Sequence, residues 1–297
     1  MTERVGFSLA RVWTIAGNTF TESVRQKVFN ILLIFALVII ASASFFAEFS
    51  LGEDVAAVAS YELKSIKDTC FGALSVIGML IAIVGTAMLL PNELENRTIY
   101  TILSKPVRRF EFLLGKYFGT VLLTFVSVLL MSLMFLAVLA FKEVRLSKSA
   151  KAEVTAAGSD TEKQKAQELV VKIHDEAYDP DIVKGILLIF VKLCLLAAIT
   201  LFVSTFSTSM VFNVAVALLV FFAGHLVGIA KEAWQAHTIV TYLLGVIPDL
   251  GMFNVADDII LGNVIPWPHV GKVAAYGVVY LSCVVGAAHL IFASREI

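Results

Sequence analysis

The residues most able to do chemistry are concentrated in one polar stretch, residues 93–117, between two long apolar runs. It carries five cations and three glutamates. A lysine that holds a nucleotide phosphate belongs to a G-x-x-x-x-G-K-[ST] loop, whereas Gly115-Lys116 and Gly271-Lys272 both lack the earlier glycine and the following hydroxyl. HExxH and GxSxG motifs are also absent from the sequence. The stretch therefore predicts recognition of a partner, in a chain that is not an enzyme.

Lys192 is the second candidate, because it lies near the middle of the apolar run 182–203. A lysine at the centre of a bilayer costs about 2.5–3.5 kcal/mol on insertion scales, so such residues are commonly functional. Lys192 could face a translocation path or a subunit interface. It could instead pair with a carbonyl or hydroxyl group of a neighbouring helix, and the sequence does not choose between these roles.

Metal and disulfide sites are not predicted. Cys70, Cys194 and Cys283 show no CxxC or Cys/His spacing, and we interpret them as small hydrophobic residues. Asp257 and Asp258 form a carboxylate pair without further ligands at matched spacing, so we expect a solvated loop there. We predict no catalytic, cofactor-binding or metal-binding residue in this chain.

The elements that position these residues are predicted to be membrane helices. The chain is 59% hydrophobic and 16% charged, whereas soluble domains average about 25% charged residues. A bilayer core of about 30 Å requires about 20 apolar helical residues, because backbone polar groups must bond within the segment. The sequence therefore predicts an all-α integral membrane protein with six transmembrane helices, at 29–49, 71–90, 118–141, 182–203, 210–230 and 273–293.

Residues 1–28 predict an amphipathic helix that lies in the headgroup layer. Arg11, Asn18, Glu22 and Arg25 fall on its polar face. The alternative is a soluble helix packed on its own protein. The apolar positions, which recur every three or four residues, are Val5, Leu9, Trp13, Ala16, Phe20, Val24 and Val28.

The arginines indicate the orientation of the chain. With a cytoplasmic N-terminus, seven of the eight arginines lie on the cytoplasmic side, and only Arg145 lies outside. The lysines of 142–184 are interleaved with acids in a long loop, where the positive-inside rule is weaker. We therefore predict that both the N-terminus and the C-terminus are cytoplasmic.

Three segments would then lie on the outer side. The first, about 50–70, is short. The second, 142–181, is a charged extracytoplasmic insertion in which "SDTE" at 159–162 forms a capping box. We expect a solvated helix or a helical hairpin broken at "TAAGS" there, with a flexible tether as the alternative. The third, 231–272, contains an apolar element at 238–247 that is too short to span, which predicts a re-entrant segment.

The polar stretch itself becomes a cytoplasmic segment, residues 91–117, which we call the elbow. Asn92 can cap a helix that begins at Glu93. Lys105-Pro106 breaks that helix, because the residue before proline avoids α geometry. A second helix then carries apolar side chains into the third span. So much apolar surface away from lipid favours docking of a cytosolic partner over a solvated loop.

The sequence "GTAMLLPNELENRTIYTILSKPVRRFEFLLGKYFG" resembles the signature region of type-2 ATP-binding-cassette (ABC) permeases. It is similar to the permease group of nitrous oxide reductase maturation. "TFTESVRQKVFNILLIFALVII" resembles the interfacial helix and first span of that family, and "VIPDLGMFNVADDI" resembles the segment before its last span. The resemblance covers most of the chain and departs mainly in the 142–181 insertion, so it implies no substrate.

The resemblance implies two permeases, identical or related, that pair in the bilayer above two cytosolic ABC ATPase subunits. ATP and magnesium would bind to the ATPases and not to this chain. The helix at 93–103 resembles the coupling helix, which lies in a cleft of the ATPase and makes the elbow the coupling region. The residues that match the coupling positions of the family are Glu93, Glu95, Arg97, Thr98, Ser104, Lys105, Pro106, Arg109, Gly115 and Lys116.

We therefore expect a permease subunit in a bacterial inner membrane, which couples ATP hydrolysis by a separate subunit to translocation, in the export direction. Nucleic acid is not an expected partner, because the chain has no basic tail and no nucleic-acid motif. The first alternative is a secondary transporter or channel that uses Lys192, although no inverted repeat is evident. An intramembrane enzyme and a non-transporting membrane assembly factor are the others.

Overall fold

The computed structural model describes residues 7–48, 55–91, 108–156, 160–233, 245 and 247–294. The described residues are predominantly helical, and a short 3₁₀ turn lies at Gly251–Phe253. The predicted coupling helix, 93–103, therefore lies outside the described residues. The α-helices are α1 (Leu9–Val24), α2 (Lys27–Ala47), α3 (Val55–Ala87), α4 (Arg109–Ala156), α5 (Asp160–Ala177), α6 (Asp181–Phe206), α7 (Met210–Ala233), α8 (Ala256–Leu261) and α9 (Trp267–Ser294).

Six helices, α2, α3, α4, α6, α7 and α9, contain stretches long and apolar enough to cross a membrane. This confirms the predicted all-α membrane fold with six spanning helices. Within the described ranges α3 and α6 are the most enclosed of the six, whereas α2, α7 and α9 leave most of their apolar surface exposed. Such exposed apolar surface is what lipid or a second membrane subunit would cover.

Two helices extend well beyond the apolar runs of the sequence. Helix α3 begins at Val55 rather than near residue 71. Helix α4 continues to Ala156 and has 48 residues, which corresponds to about 72 Å at 1.5 Å per residue. Hydropathy marks only the part that lipid surrounds, whereas helix formation continues into the polar sequence on either side.

The 142–181 insertion adopts the helical alternative. Its first part continues α4 as far as Ala156, and its second part forms α5, which packs back along α4. Residues 157–159, which include the expected N-cap Ser159, lie outside the described residues. We call α5 and the end of α4 the hairpin, and the side of the bundle that carries it the hairpin end.

The opposite side of the bundle is the elbow end, where α3 finishes and α4 begins. A small hydrophobic cluster closes it, in which Phe112, Leu113 and Tyr117 of α4 pack with residues of α6 and α9 and with Leu90. The rings of Phe112 and Phe292 stack with their centroids 6.0 Å apart. The first turns of α4 are therefore set into the bundle by apolar packing, separately from the main core along the spans.

Candidate functional site at the elbow end

The predicted coupling residues divide into two groups. Arg109, Gly115 and Lys116 lie in the first turns of α4 and are described by the structure. The others lie outside the described residues, so their predicted role remains a prediction. These are Glu93, Glu95, Arg97, Thr98, Ser104, Lys105 and Pro106.

Glu111 is a charged residue of the elbow end with several hydrogen-bond donors around it, and it is not among the predicted coupling residues. Its side chain is fully buried. The Arg11 guanidinium donates to both carboxylate oxygens, from Nε and Nη2, at 2.8 Å each. The backbone N–H of Ser8, the N-cap of α1, donates to Oε1 at 2.7 Å. One carboxylate therefore holds the beginning of α1.

The same carboxylate also caps its own helix. Glu111 is the third residue of α4, and its Oε2 accepts the backbone N–H of Arg108 at 3.3 Å. This is the reciprocal half of a capping box, in which a glutamate at the third helical position satisfies a free N–H at the helix start. Glu111 precedes the apolar run 118–141, and the Arg11 guanidinium together with the two N–H donors holds its pKa well below the usual range.

Arg109 fastens α4 to the last helix. Its Nη1 donates to the carbonyl oxygens of Phe292, at 3.3 Å, and Ala293, at 2.9 Å. Both carbonyls belong to the final turn of α9, where carbonyl groups have no partner within the helix and a positive charge is favourable. Arg109, which was predicted as a coupling residue, thus connects the exit of the elbow to the C-terminus of α9.

Lys116 gives α4 a second charged contact with α1. It is almost fully buried, and its Nζ lies 3.8 Å from Oε2 of Glu22. The same Nζ lies 5.9 Å from the centroid of the Phe112 ring. Lys116 is therefore held between a carboxylate and an aromatic ring, inside the contact between the two helices.

Two glycines let the backbones of α1 and α4 approach closely. A Cβ atom at Gly115 would lie 2.6 Å from Cβ of Ile15, and one at Gly119 would lie 2.6 Å from Cβ of Thr19. The buried face of α1 consists of small or short side chains, namely Val12, Ala16, Thr19 and Ser23. The four-residue spacing of the glycines places both on one side of α4, and that spacing is the signal in the sequence that could have revealed this contact.

The orientation of α1 differs in detail from the simple amphipathic prediction. The face that packs on α4 is the small-residue face, whereas Leu9 and Trp13 are largely exposed. Arg11, which lies on the predicted polar face, contacts Glu111 of α4. The reason is that helical periodicity assigns residues to faces without naming what each face contacts.

Lys192 lies in α6 with its side chain fully buried. Its Nζ donates to Oγ of Ser75 in α3 at 2.7 Å, which is the geometry of a lysine paired with a hydroxyl group of a neighbouring helix. Because α3 and α6 are the most enclosed of the six spanning helices, this hydrogen bond lies in the centre of the bundle.

The hairpin end contains a further charged contact that the sequence analysis missed. The Asp181 carboxylate accepts the ammonium group of Lys184 and, at 2.6 Å, the backbone N–H of Ile265. Lys184 also donates to the Ile265 carbonyl at 2.7 Å. This pair holds the start of α6 to the segment before α9. A groove of about 790 Å³ opens beside it, between α3, α5 and α8, and charges of both signs line it.

The carboxylate pair Asp257 and Asp258 is exposed, as expected, but it lies in the first turn of a short helix, α8, instead of a loop. Negative side chains are favourable at a helix N-terminus, which accounts for their position there. Within the described residues, no group of three or more His, Cys, Asp or Glu side chains is arranged to hold a metal ion. The short apolar element at 238–247 lies almost wholly outside the described residues.

Comparison with known families decides what kind of membrane protein this is. A model of the family described as "ABC-2 family transporter protein" matches residues 21–285. The chain belongs to the ABC-2 transporter family. The match includes five of the six spanning helices in full and about the first two thirds of the sixth, α9, and it confirms the resemblance to type-2 ABC permeases. No curated protein matches the chain in a search by sequence.

As an ABC-2 family member, the chain is a multi-pass membrane component of a transporter and is not itself a catalytic subunit. This agrees with the absence of nucleotide-binding and hydrolase motifs from its sequence. The contacts around Glu111, Arg109 and Lys116 are accordingly structural ties. They hold the helix that leaves the elbow to the first and last helices of the protein.

Proposed function

We propose that this ABC-2 family member is the permease subunit of an ABC exporter, driven through its elbow by ATP hydrolysis in a separate cytosolic ATPase. The observation that carries this proposal is the attachment of α4 immediately after the elbow. Its first turns are held to α1 by Glu111 and to α9 by Arg109. A docking surface can transmit the movement of an ATPase only if it is firmly attached to the bundle, because a loosely held loop would move without moving the spanning helices.

The orientation follows from the same proposal. The elbow and both termini face the cytoplasm of a bacterial cell, and the hairpin lies outside the inner membrane. In that arrangement α1 lies in the cytoplasmic headgroup layer. The exposed side chains of Leu9 and Trp13 support this position, since tryptophan and aliphatic residues on one side of an amphipathic helix favour the membrane interface.

A second permease, identical or related, completes the proposed transporter. The apolar surface left exposed on α2, α7 and α9 supports this part of the proposal, because either lipid or a second copy must cover it. The resemblance of the elbow to the nitrous oxide reductase maturation group suggests that subgroup. The substrate is not defined by any of these features.

In this proposal Lys192 makes a fixed contact between two helices and takes no part in translocation. Its ammonium group is buried against the Ser75 hydroxyl between two central helices. A secondary transporter or channel would need that group to change partners during transport. The alternative would gain support if transport continued without any ATPase and ended when Lys192 was replaced.

The proposal is tested by co-purification of a cytosolic ABC ATPase from the same organism with the permease. The variants Glu93→Ala and Arg97→Glu should reduce recovery of the ATPase, because each removes or reverses a charge in the predicted coupling helix. The permease should remain folded in the membrane. Matched controls are Glu168→Ala and Lys172→Glu, which make the same charge changes at exposed positions of α5 on the hairpin end.

The controls should retain the ATPase at the level of the unmodified protein. Unchanged recovery in both elbow variants would overturn the assignment of the elbow as the docking surface. A permease that recruits its ATPase but shows no ATP-dependent flux would support the assembly-factor alternative instead.

A further inference from the structure

The beginning of α1 and the exit of the elbow are both hydrogen-bonded to the Glu111 carboxylate. Ser8, Arg11 and Arg108 all direct N–H groups at the Glu111 carboxylate, at distances of 2.7 to 3.3 Å. Arg108 is the first described residue after the segment 92–107. Any displacement of the elbow exit therefore acts on a group that also holds α1.

The geometry of this contact opposes sliding of α1 along α4. Arg11 makes two parallel hydrogen bonds to the carboxylate, a geometry that fixes both distance and angle. Below it, the backbones of α1 and α4 touch at Gly115 and Gly119. Interfaces packed this tightly move as a body, because they cannot deform continuously.

A short link connects this contact to the first spanning helix. Helix α1 ends at Val24, and α2 begins only three residues later, at Lys27. Helix α2 is the first spanning helix, so a shift of α1 would displace the start of a membrane-spanning helix. Arg109 provides the corresponding connection from α4 to α9.

We propose that Glu111 is a positioning residue that makes the elbow exit, α1 and the first turns of α4 move as one body, so that docking of the ATPase is transmitted to the first spanning helix. This inference rests on the proposed function. It adds a specific claim, that the state of the elbow and the docking of α1 are energetically linked through one carboxylate. The linkage must be reciprocal if it exists.

The test measures backbone amide hydrogen exchange in α1, using the full-length permease in lipid nanodiscs. Glu111→Gln removes the charge with little change of shape, and Arg11→Gln removes the charge from the other side of the contact. Each should speed exchange across α1 by about tenfold or more, since a hydrogen bond to a charged group is lost. Arg25→Gln makes the same change at the exposed C-cap position that directly follows α1 and should have no such effect.

The second arm adds the co-purifying ATPase. In the unmodified protein, ATPase binding should slow exchange in α1, and in Glu111→Gln it should leave that exchange unaltered although the ATPase still binds. Unaltered α1 exchange in both single variants without the ATPase would overturn the inference. An equal response to the ATPase with and without the Glu111 carboxylate would also overturn it.

The two proposals fail in distinguishable ways. If no ATPase binds, the proposed function fails, whereas the first arm still decides whether Glu111 holds α1. If the ATPase binds but α1 does not respond to it, the proposed function stands and the linkage through Glu111 is wrong. Retention of the normal melting temperature in Arg11→Gln shows that the result is not a failure to fold.

Discussion

Replacement of Gly115 by alanine gives the sharpest test of how α1 is attached. The added Cβ would lie 2.6 Å from Cβ of Ile15 and 3.0 Å from the backbone oxygen of Val12. Neither atom is the end of a flexible side chain, so neither can turn aside. Helix α1 as a whole must move away by about 1 Å to restore ordinary carbon–carbon contact.

The magnitude follows from two opposing effects. Alanine in place of glycine favours a helix interior by about 1 kcal/mol. Forcing an extra carbon into a closed contact costs about 1–3 kcal/mol. The variant Gly286→Ala separates them, because a Cβ at that position in α9 meets no atom within 4 Å. Relative to this control, Gly115→Ala should therefore weaken the docking of α1 by about 1–3 kcal/mol.

Hydrogen exchange of the α1 amides measures this difference directly, because a free energy of about 1–3 kcal/mol corresponds to about 5- to 150-fold in an equilibrium constant. Exchange in α1 should rise by that factor in Gly115→Ala and remain unchanged in Gly286→Ala. If the two variants leave α1 equally protected, the close packing of α1 on α4 is not what holds it, and the charged contacts alone would have to account for its docking.

Two further predictions concern the charged residues buried in the bundle. Asp181→Asn leaves Lys184 buried without its counter-ion, so the free energy of unfolding should fall by about 3–5 kcal/mol; thermal unfolding in detergent checks this, and an unchanged melting temperature would contradict it. Lys192→Met replaces a buried charge by an apolar chain of similar length and should leave the melting temperature equal or higher. A marked fall, unmatched by Ser75→Ala, would show that Lys192 has a stabilising partner other than the Ser75 hydroxyl.

The spanning helices could be predicted because the bilayer permits so few alternatives. An apolar run of about 20 residues can satisfy its backbone only as a helix, and six such runs gave six helices. Their ends were less predictable. Helices α3 and α4 continue through charged sequence outside the apolar runs, from Val55 and to Ala156, since hydropathy reports the surrounding solvent and not the limit of helical structure.

The ties at the elbow end were predictable only in part. The motif of the elbow drew attention to Arg109 and Lys116, and both lie in the first turns of α4. The contact between Arg11 and Glu111 could not be inferred, because the two residues are 100 positions apart in the chain. Helical periodicity relates residues three or four positions apart; it carries no information about which face of one helix meets which face of another.

The two ends of the bundle differ in how their charges connect the helices. At the hairpin end, Lys142 lies 3.1 Å from Glu48 and 3.2 Å from Glu62, which joins α2, α3 and α4. Lys67 reaches Asp179 beyond α5, and Asp181 holds the segment before α9. These contacts link several helices to one another and are not concentrated on one helix.

At the elbow end, by contrast, the charged contacts described above converge on the first two turns of α4. Arg11 and Glu22 reach it from α1, and Arg109 reaches from it to α9. A displacement of the elbow exit, as proposed above, would therefore pass through α4 to α1, which directly precedes the first spanning helix, and to α9, the last described spanning helix. At its other end, α4 is held by the charged contacts of the hairpin end, those of Lys142 with Glu48 and Glu62. If force enters at the elbow as proposed, we expect α4 to tilt about its hairpin end and to carry α1 with it at the other end.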